Sequence, residues 1–456
     1  MDDNFLLNTP LAQWLYHECA KDLPVIDYHN HLAMDDLKAD KRYENIAELW
    51  LLSDPYKHRA MRICGIEEKY ITGAAGEYDK FSAWMSVLPK LIGNPLYDWS
   101  ILEMKRIFDI DLKPGITDSH WVCEQTNSKL SQADYSSVNL LSKFRVEYAA
   151  PCAMLTDDIS PFYKFENIAP SLRGDNIVDI TKATIDRLEQ ITELHINTLN
   201  EFYDAVAMRL DTFGEAGCKF SDHALDDGFE YFPDDGKNVE RFSEVRQGHL
   251  LHEEDQKRLS SEILRFLSGE YARRGWTMQL HIGAQRYTSS RLRTLAGPAG
   301  GFAGIGNCCD VKSLTQMLDS FEKSRYGLPR TILFTLNPAD NAVMSVLCGS
   351  YSQDGVAGKI QQGPAWWWCD HLYGMREVFE NISSFGVLSV FIGMTTDSRS
   401  ILSFVRHEYF RRALCGWIGE KAAKGEIPAD QEMLKKLIQD VCYNNAKRII
   451  MERAKR

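Results

Sequence analysis

At 456 residues, with 44% hydrophobic and 25% charged side chains, the chain is long enough for a large buried core and has the composition of a globular protein. A net charge of −12 and a pI of 5.5 disfavour nucleic acid and anionic membrane as partners, so an anionic ligand has to be held by local arginines against the global field. No apolar run approaches the ~20 residues of a membrane span, the start MDDNFLLNTPLAQW lacks a basic n-region, and the 11 cysteines, an odd number without a C-x-x-C pair, fit reduced thiols in the cytoplasm.

Along the chain a short β-rich apolar run recurs, followed by a polar cluster and then a helical stretch. Eight such runs are predicted strands: Val25 to His31, Glu147 to Met154, Ile168 to Arg173, Cys218 to Asp222, Thr277 to Ile282, Thr331 to Leu336, Lys359 to Ala365 and Ser389 to Met394. Strands alternating with helices imply βαβ units, and eight of them imply an α/β fold of the (β/α)8 TIM-barrel type. Helical spacing of apolar residues is found over 181–213, 260–273 and 371–384.

Residues 32–145 are too many for one crossover, and with Trp50, Trp84, Leu88, Leu91 and Trp99 available for a core they read as a helical insertion. The chain thus divides into an N-terminal helix and first strand (1–31), the insertion (32–145) and the rest of the barrel (146–456), closed by terminal helices from Phe404 onward. Within the insertion, Ser53 to Arg62 reads SDPYKHRAMR: Asp-Pro opens a turn, Pro55 suits a first helical position, and a Tyr, a Lys, a His and two Arg follow.

Chemistry in such a barrel gathers at the C-terminal ends of the strands. There the chain places His29-Asn30-His31, Arg173, Asp222-His223, His281 with Arg286 beyond it, Asn337, Trp366-Trp367-Trp368 and Thr396-Asp397-Ser398-Arg399, so four of its 12 histidines are at strand ends. His29 and His31 are two apart on a strand and share a face. With Asp397 from the neighbouring last strand they make a His, His, Asp site suited to one divalent ion such as Zn²⁺. Alone, H-x-H more often marks hydrogen-bonded core histidines; the matching Asp on the eighth strand reverses that balance. Arg173 and Arg399 offer planar forks for a carboxylate or phosphate, with ion pairs to Asp175 and Asp397 as the bland alternative. His281 is a further ligand, a group polarising a substrate oxygen, or a structural histidine. The Trp366 to Trp368 run reads as wall and core, with an indole at the rim able to stack on a sugar ring.

The segments FLLNTPLAQWLYHECAKDLPVIDYHNHL, IGNPLYDW, EYARRGW, HIGA, LNPADN and GMTTDSRSILSFVRHEYFRRALC resemble the uronate isomerases, the glucuronate isomerase family of the amidohydrolase superfamily, from about residue 5 to residue 450. The resemblance implies a distorted (β/α)8 barrel with a helical insertion after the first strand. It implies interconversion of D-glucuronate with D-fructuronate and of D-galacturonate with D-tagaturonate by proton transfer between C2 and C1. It also implies His29, His31 and Asp397 as ligands of one metal, usually zinc, with manganese or another ion possible. Tyr56, Arg173 and Arg399 match substrate-contacting positions, and Asp397 doubles as proton carrier. Catalytic roles therefore fall to Asp397, Arg399 and Tyr56, and substrate binding to Arg173, Arg399, Tyr56, His281 and Trp366, in an enzyme whose partner is a small sugar acid and which is a possible homo-oligomer.

Several rim positions depart from the family pattern. Where the family reads G-D-H-Y-K-W-R this chain has SDPYKHR, with Pro55 in place of a histidine; R-P-D-K is Arg173-Gly174-Asp175-Asn176, H-I-G-A-L-R-N-N-N is HIGAQRYTSSR, and W-W-F-N-D is WWWCD. Proline brings no side-chain donor or acceptor, and His58, one helical turn on, is a weak substitute. The alternatives are an isomerase or epimerase of a related sugar acid, a metal-dependent hydrolase, and a binding protein that kept the fold. Against the hydrolase, Lys219 lies at the start of the fourth strand and not at its rim.

Overall fold

The computed structural model describes residues 2–452. Seven parallel strands form one sheet in chain order: β1 (Val25–Asn30), β2 (Val146–Met154), β3 (Ser171–Arg173), β4 (Phe220–Leu225), β5 (Thr277–Ile282), β6 (Arg330–Thr335) and β7 (Ile360–Gln362). β1, β5 and β6 are buried along their whole length, as expected of strands covered on both faces. Register runs without a break from β4 to β5 (Phe220 opposite Thr277, Leu225 opposite Ile282) and on to β6 (Thr277 opposite Arg330, Ile282 opposite Thr335), so the ends of these strands lie level. The β1/β2 pair is irregular, with register shifts between Val25 and Ile26 and between Asp27 and Asn30.

Two predicted strands are shortened. Ile168 makes only an isolated bridge to Ala149, and the strand proper begins at Ser171; of Lys359 to Ala365, only Ile360–Gln362 pairs. The predicted eighth strand, Ser389 to Met394, is absent among the described residues: Leu388–Val390 is a turn of 3₁₀ helix, followed by extended chain without a ladder. Individual polar contacts replace the ladder. The Ile392 amide donates to Gln361 Oε1 (2.8 Å), Tyr28 donates through its hydroxyl to the Gly393 carbonyl (2.9 Å), and the His29 amide donates to Thr395 Oγ1 (2.8 Å). The Asp397 amide then donates to the His29 carbonyl (3.0 Å) and the His31 amide to the Ser398 carbonyl (2.8 Å). The segment runs alongside β1 and closes the barrel, and the result is a distorted TIM barrel.

The buried carboxylate of Asp27 organises this seam. It accepts from the Thr396 amide (2.9 Å) and from Asn30 Nδ2 (3.0 Å), and it lies 2.9 Å from His407 Nε2. His407 belongs to the helix Val405–Ala423, whose other polar residues tie down the chain around the barrel: Arg411 donates to the carbonyls of Leu23 and Pro24, and Arg412 to those of Asp3 and Phe5. Much of the RHEYFRR motif is therefore structural.

Between β1 and β2 the chain forms a succession of helices, among them Pro55–Ile63, Glu77–Val87, Pro95–Phe108 and Ser119–Leu130. SDPYKHRAMR builds the first of these. Asp54 is its N-cap, accepting from the Tyr56 and Lys57 amides, and Pro55 takes the first helical position. Lys57 is buried, pairs with Asp54 Oδ2 at 2.7 Å and approaches Glu103 at 3.8 Å beneath the ring of Trp50. A buried ammonium is tolerated because it is paired and lies against aromatic faces.

Candidate active site

The strand ends open into one cavity of about 840 Å³, which His29, His31, Tyr56, Arg173, His281, Trp366, Asp397 and Arg399 all help to line. At its floor the Nε2 atoms of His29 and His31 converge on one oxygen of Asp397: His29 Nε2 lies 3.1 Å and His31 Nε2 3.0 Å from Oδ1. The two rings share a face because they are two residues apart at the end of β1, as the spacing predicted. Asp397 Oδ2 accepts from the indole N–H groups of Trp366 (2.8 Å) and Trp367 (2.7 Å). Burial works to raise the pKa of this carboxyl, but the hydrogen bonds from His29 and His31 outweigh it and hold the group well below the usual carboxylate range. Asp397 has φ of 49°, left-handed backbone that a residue with a Cβ adopts only when its surroundings enforce it. Here the enforcing contacts are its own amide on the His29 carbonyl and four side chains on its carboxylate.

A second polar cluster adjoins the first. Asp222, within β4, which runs on to Leu225 past the end expected from sequence, lies 2.6 Å from His281 Nδ1 and 3.4 Å from Arg173 Nη1, while Arg173 Nη2 pairs with Asp175 at 2.9 Å. With Nδ1 on a carboxylate, His281 leaves Nε2 buried and without a hydrogen-bond partner. Burial, partly offset by Asp222, pushes the His281 pKa down, so the ring is neutral at neutral pH. Cys152 on β2 completes the cluster, its Sγ 3.6 Å from His29 Nδ1 and 4.0 Å from Asp222 Oδ2. Donor atoms of His29, His31 and Cys152, and those of His29, Asp222 and His281, lie within 4.8 Å of one another, so the floor of the cavity is a group of side chains capable of holding a metal ion.

Around the rim, Arg399 is exposed to the cavity and, among the described residues, has neither an ion pair nor a hydrogen bond; the sequence alternative of a pair with Asp397 is not what forms. The Arg173 pair with Asp175, by contrast, does form. Tyr56 presents a buried hydroxyl without a partner, its ring edge-on to Trp368 at 5.3 Å. Burial drives the phenol pKa up, with Arg406 opposing, so Tyr56 is a hydrogen-bond donor at any working pH. His58 is buried and does not line the cavity, so it does not stand in for the histidine missing at position 55. Gly174 matches its departure from the family pattern in another way: a Cβ there would fall 2.2 Å from Cε1 of His223, whose Nε2 is fixed 3.0 Å from the Tyr271 hydroxyl.

The family model for glucuronate isomerase matches residues 1–450. The chain belongs to the glucuronate isomerase family. Within it, the chain is 39% identical to the uronate isomerase of Bacillus licheniformis over 98% of its own length and 96% of that protein, and 40% identical to the uronate isomerase of Oceanobacillus iheyensis over 98% and 97%. The crystal structure of uronate isomerase from Thermotoga maritima superposes with a TM-score of 0.91 at 27% identity, covering 99% of each chain. That of glucuronate isomerase from Caulobacter crescentus shares the fold at a TM-score of 0.89 and 19% identity. The protein is accordingly an isomerase of this family, and no helix among its described residues is long and apolar enough to cross a membrane.

Most of the residues singled out at the strand ends in the sequence lie together in one cavity, but the groups that orient them were overlooked. Cys152 was legible, since it occupies a barrel strand two residues before that strand ends. Asp222 was visible as a strand end, yet its contacts with His281 and Arg173 depend on the level register of β3, β4 and β5, which no single-strand pattern encodes. The Asp27–His407 pair joins residues 380 positions apart and has no local signal.

Proposed function

We propose that the protein interconverts a hexuronate aldose and its 2-ketose, D-glucuronate with D-fructuronate and D-galacturonate with D-tagaturonate, on the cavity floor around Asp397. The single observation that carries this reading is the meeting of a buried, conformationally enforced carboxylate with two imidazoles and two cavity arginines in a chain of this family. The reaction removes the C2 proton of the open-chain sugar, passes through an enediol and returns a proton to C1. It therefore needs one carrier within reach of both carbons, donors for the developing oxyanion and a clamp for the distant carboxylate.

Asp397 carries the proton between C2 and C1. Its four hydrogen-bonding neighbours aim it but also make it a weak base, so the substrate proton has to be acidified by charge placed at O1 and O2. Tyr56 donates to one of these oxygens from its unpartnered hydroxyl, and Arg399 brings a free guanidinium. Arg173, braced by Asp175 and Asp222, is a rigid fork for the substrate carboxylate. His281, with Nδ1–H on Asp222 and a bare Nε2, accepts the hydroxyl proton that moves between O2 and O1. Trp366, fixed by its bond to Asp397, forms the adjoining wall.

His29, His31 and Asp397 fit one divalent ion: two imidazole nitrogens and a carboxylate oxygen already face one another, and an ion bound there would take the place of the protons that now link them; this borderline donor set suits zinc, with manganese the second choice. Such an ion supplies Lewis-acid polarisation of a substrate oxygen. The test is incubation of zinc-supplemented protein in D₂O with each uronate, following ketose formation and C2 deuteration by NMR. Formation of ketose with deuterium at the transferred position is expected, and neither ketose nor exchange with either uronate would sink the proposal. Exchange with a different sugar acid would instead identify a changed specificity.

A further inference from the structure

The metal proposed above leaves one nitrogen of His29 to be accounted for, and the inference drawn here rests on that metal reading. His29 turns Nε2 toward Asp397 Oδ1, 3.1 Å away. An imidazole that gives one nitrogen's lone pair to a cation must carry its proton on the other, and in metal sites that N–H is almost always held by an acceptor that fixes tautomer and ring angle. The atom that meets Nδ1 of His29 is Cys152 Sγ at 3.6 Å, within reach of a hydrogen bond to sulfur.

The direction of the contact follows from the other end of the chain. Asp222 accepts from His281 Nδ1 at 2.6 Å and pairs with Arg173 at 3.4 Å. With an imidazole N–H and a guanidinium directed at it, this carboxylate serves as an acceptor. The thiol lies 4.0 Å from Asp222 Oδ2, so its S–H is directed there and its lone pairs are left facing His29. We propose that Cys152 is a positioning residue for the metal: it receives Nδ1–H of His29, hands its own S–H toward Asp222, and so presents Nε2 of His29 as a lone pair to the ion.

A thiol thus occupies the place where many such sites use a carboxylate or a backbone carbonyl. It also connects the metal-facing side of the cavity, His29 and His31, to the side where Arg173 and His281 sit, through one carboxylate. The competing arrangement is that the sulfur itself ligates the ion, since donor atoms of His29, His31 and Cys152 lie within 4.8 Å of one another. It is disfavoured because the sulfur, although it also approaches His31, meets His29 at Nδ1, the nitrogen that does not face Asp397.

The experiment uses the full-length protein stripped of metal, as wild type, Cys152→Ala and Cys152→Ser. Zinc affinity is measured by competition with a chromogenic chelator, and the cobalt(II)-loaded forms are examined by absorption spectroscopy. Cys152→Ala is expected to bind zinc about 10- to 100-fold more weakly, with the melting temperature of the metal-free protein unchanged, and Cys152→Ser, which keeps a donor and an acceptor, to recover most of the loss. Equal zinc affinity in wild type and Cys152→Ala would overturn the proposal. So would an intense near-ultraviolet sulfur-to-cobalt band in the wild type that disappears in Cys152→Ser, since it would make the sulfur a ligand. Absence of zinc binding by the wild type itself would remove the metal reading first and this inference with it.

Discussion

Asp397 is held in left-handed backbone by contacts to both of its carboxylate oxygens, and this arrangement separates its two proposed roles. As a metal ligand it needs only Oδ1, which faces His29 and His31; as proton carrier it needs a free electron pair close to C1 and C2. Asn at this position keeps the oxygen that accepts from the two indoles but cannot take up a proton. Asp397→Asn is therefore expected to fold normally and to lose at least ~10³-fold in kcat, at the upper part of the range for a positioned proton carrier; retention of wild-type turnover would exclude both roles. Position 55 gives a gentler test. Pro55 lines the cavity and offers no polar atom, whereas His58 lies outside the cavity with its pKa lowered by burial. His58→Leu should leave kcat/KM on either uronate within about twofold, because nothing in the site touches it, whereas Pro55→His should raise turnover of D-glucuronate if the natural substrate is another sugar acid. A large loss in His58→Leu, measured by the ketose assay, would restore His58 to the site.

At the scale of elements, the rim is assembled from pieces that the sequence does not connect. The helix Pro55–Ile63 is fastened to the stretch after the fifth strand: Arg59 Nη1 donates to the carbonyls of Gly301 (3.3 Å) and Ala303 (3.2 Å), and Arg62 donates to that of Gly300. Gly301 has φ of +79°, and a Cβ there would fall 2.2 Å from the Pro55 carbonyl oxygen. Gly301→Ala adds a left-handed strain of about 1–2 kcal/mol and pushes the two segments apart where Tyr56 enters the cavity. The expected outcome is a KM for uronate raised about tenfold, as ~1.4 kcal/mol of lost binding requires, with little change in melting temperature, since the loop is peripheral. An unchanged KM would show that this fastening does not position Tyr56.

The chain of strands and the H-x-H pair were legible because each rests on a local pattern, a period of two for side chains on a strand and short apolar, β-rich runs broken by polar clusters for the strands themselves. The eighth strand failed because Ser389 to Met394 has the composition of a strand but closes the barrel through Gln361, Tyr28 and Thr395 instead of a ladder. Likewise SDPYKHRAMR displayed its cap and its Pro, but not that Lys57 would turn inward to Asp54 and Glu103 while Arg59 and Arg62 turned outward to a loop some 240 residues away. Local rules set the helix; tertiary contacts decided which face of it served the site.

For the molecule as a whole, the decisive feature is that a barrel with an open sheet is locked by a buried polar seam. Leaving the Asp27 carboxylate without His407 removes a hydrogen bond to a charged group, worth about 1.5–3 kcal/mol, at the one place where no backbone ladder compensates. The same seam makes stability depend on pH. The pKa values of His58, His223, His281, His371 and His407 are all lowered, in each case first by burial. In the unfolded chain these rings titrate near 6.5, so between that value and their lower folded values the unfolded state binds more protons, and stability rises with pH. For zinc-saturated protein, whose His29 and His31 are withheld from protons by the metal, the urea midpoint should therefore be flat above pH 7 and fall steadily from pH 6.5 toward 5. Depressed carboxylates such as Asp397 and Asp222 add their loss only at still lower pH. In His407→Leu the midpoint should be lower throughout and its slope between pH 6.5 and 5 shallower, because one of the five rings has been removed. A His407→Leu curve parallel to wild type between pH 6.5 and 5 would mean that folding does not change the protonation of His407 in that window, and would remove it from the pH dependence.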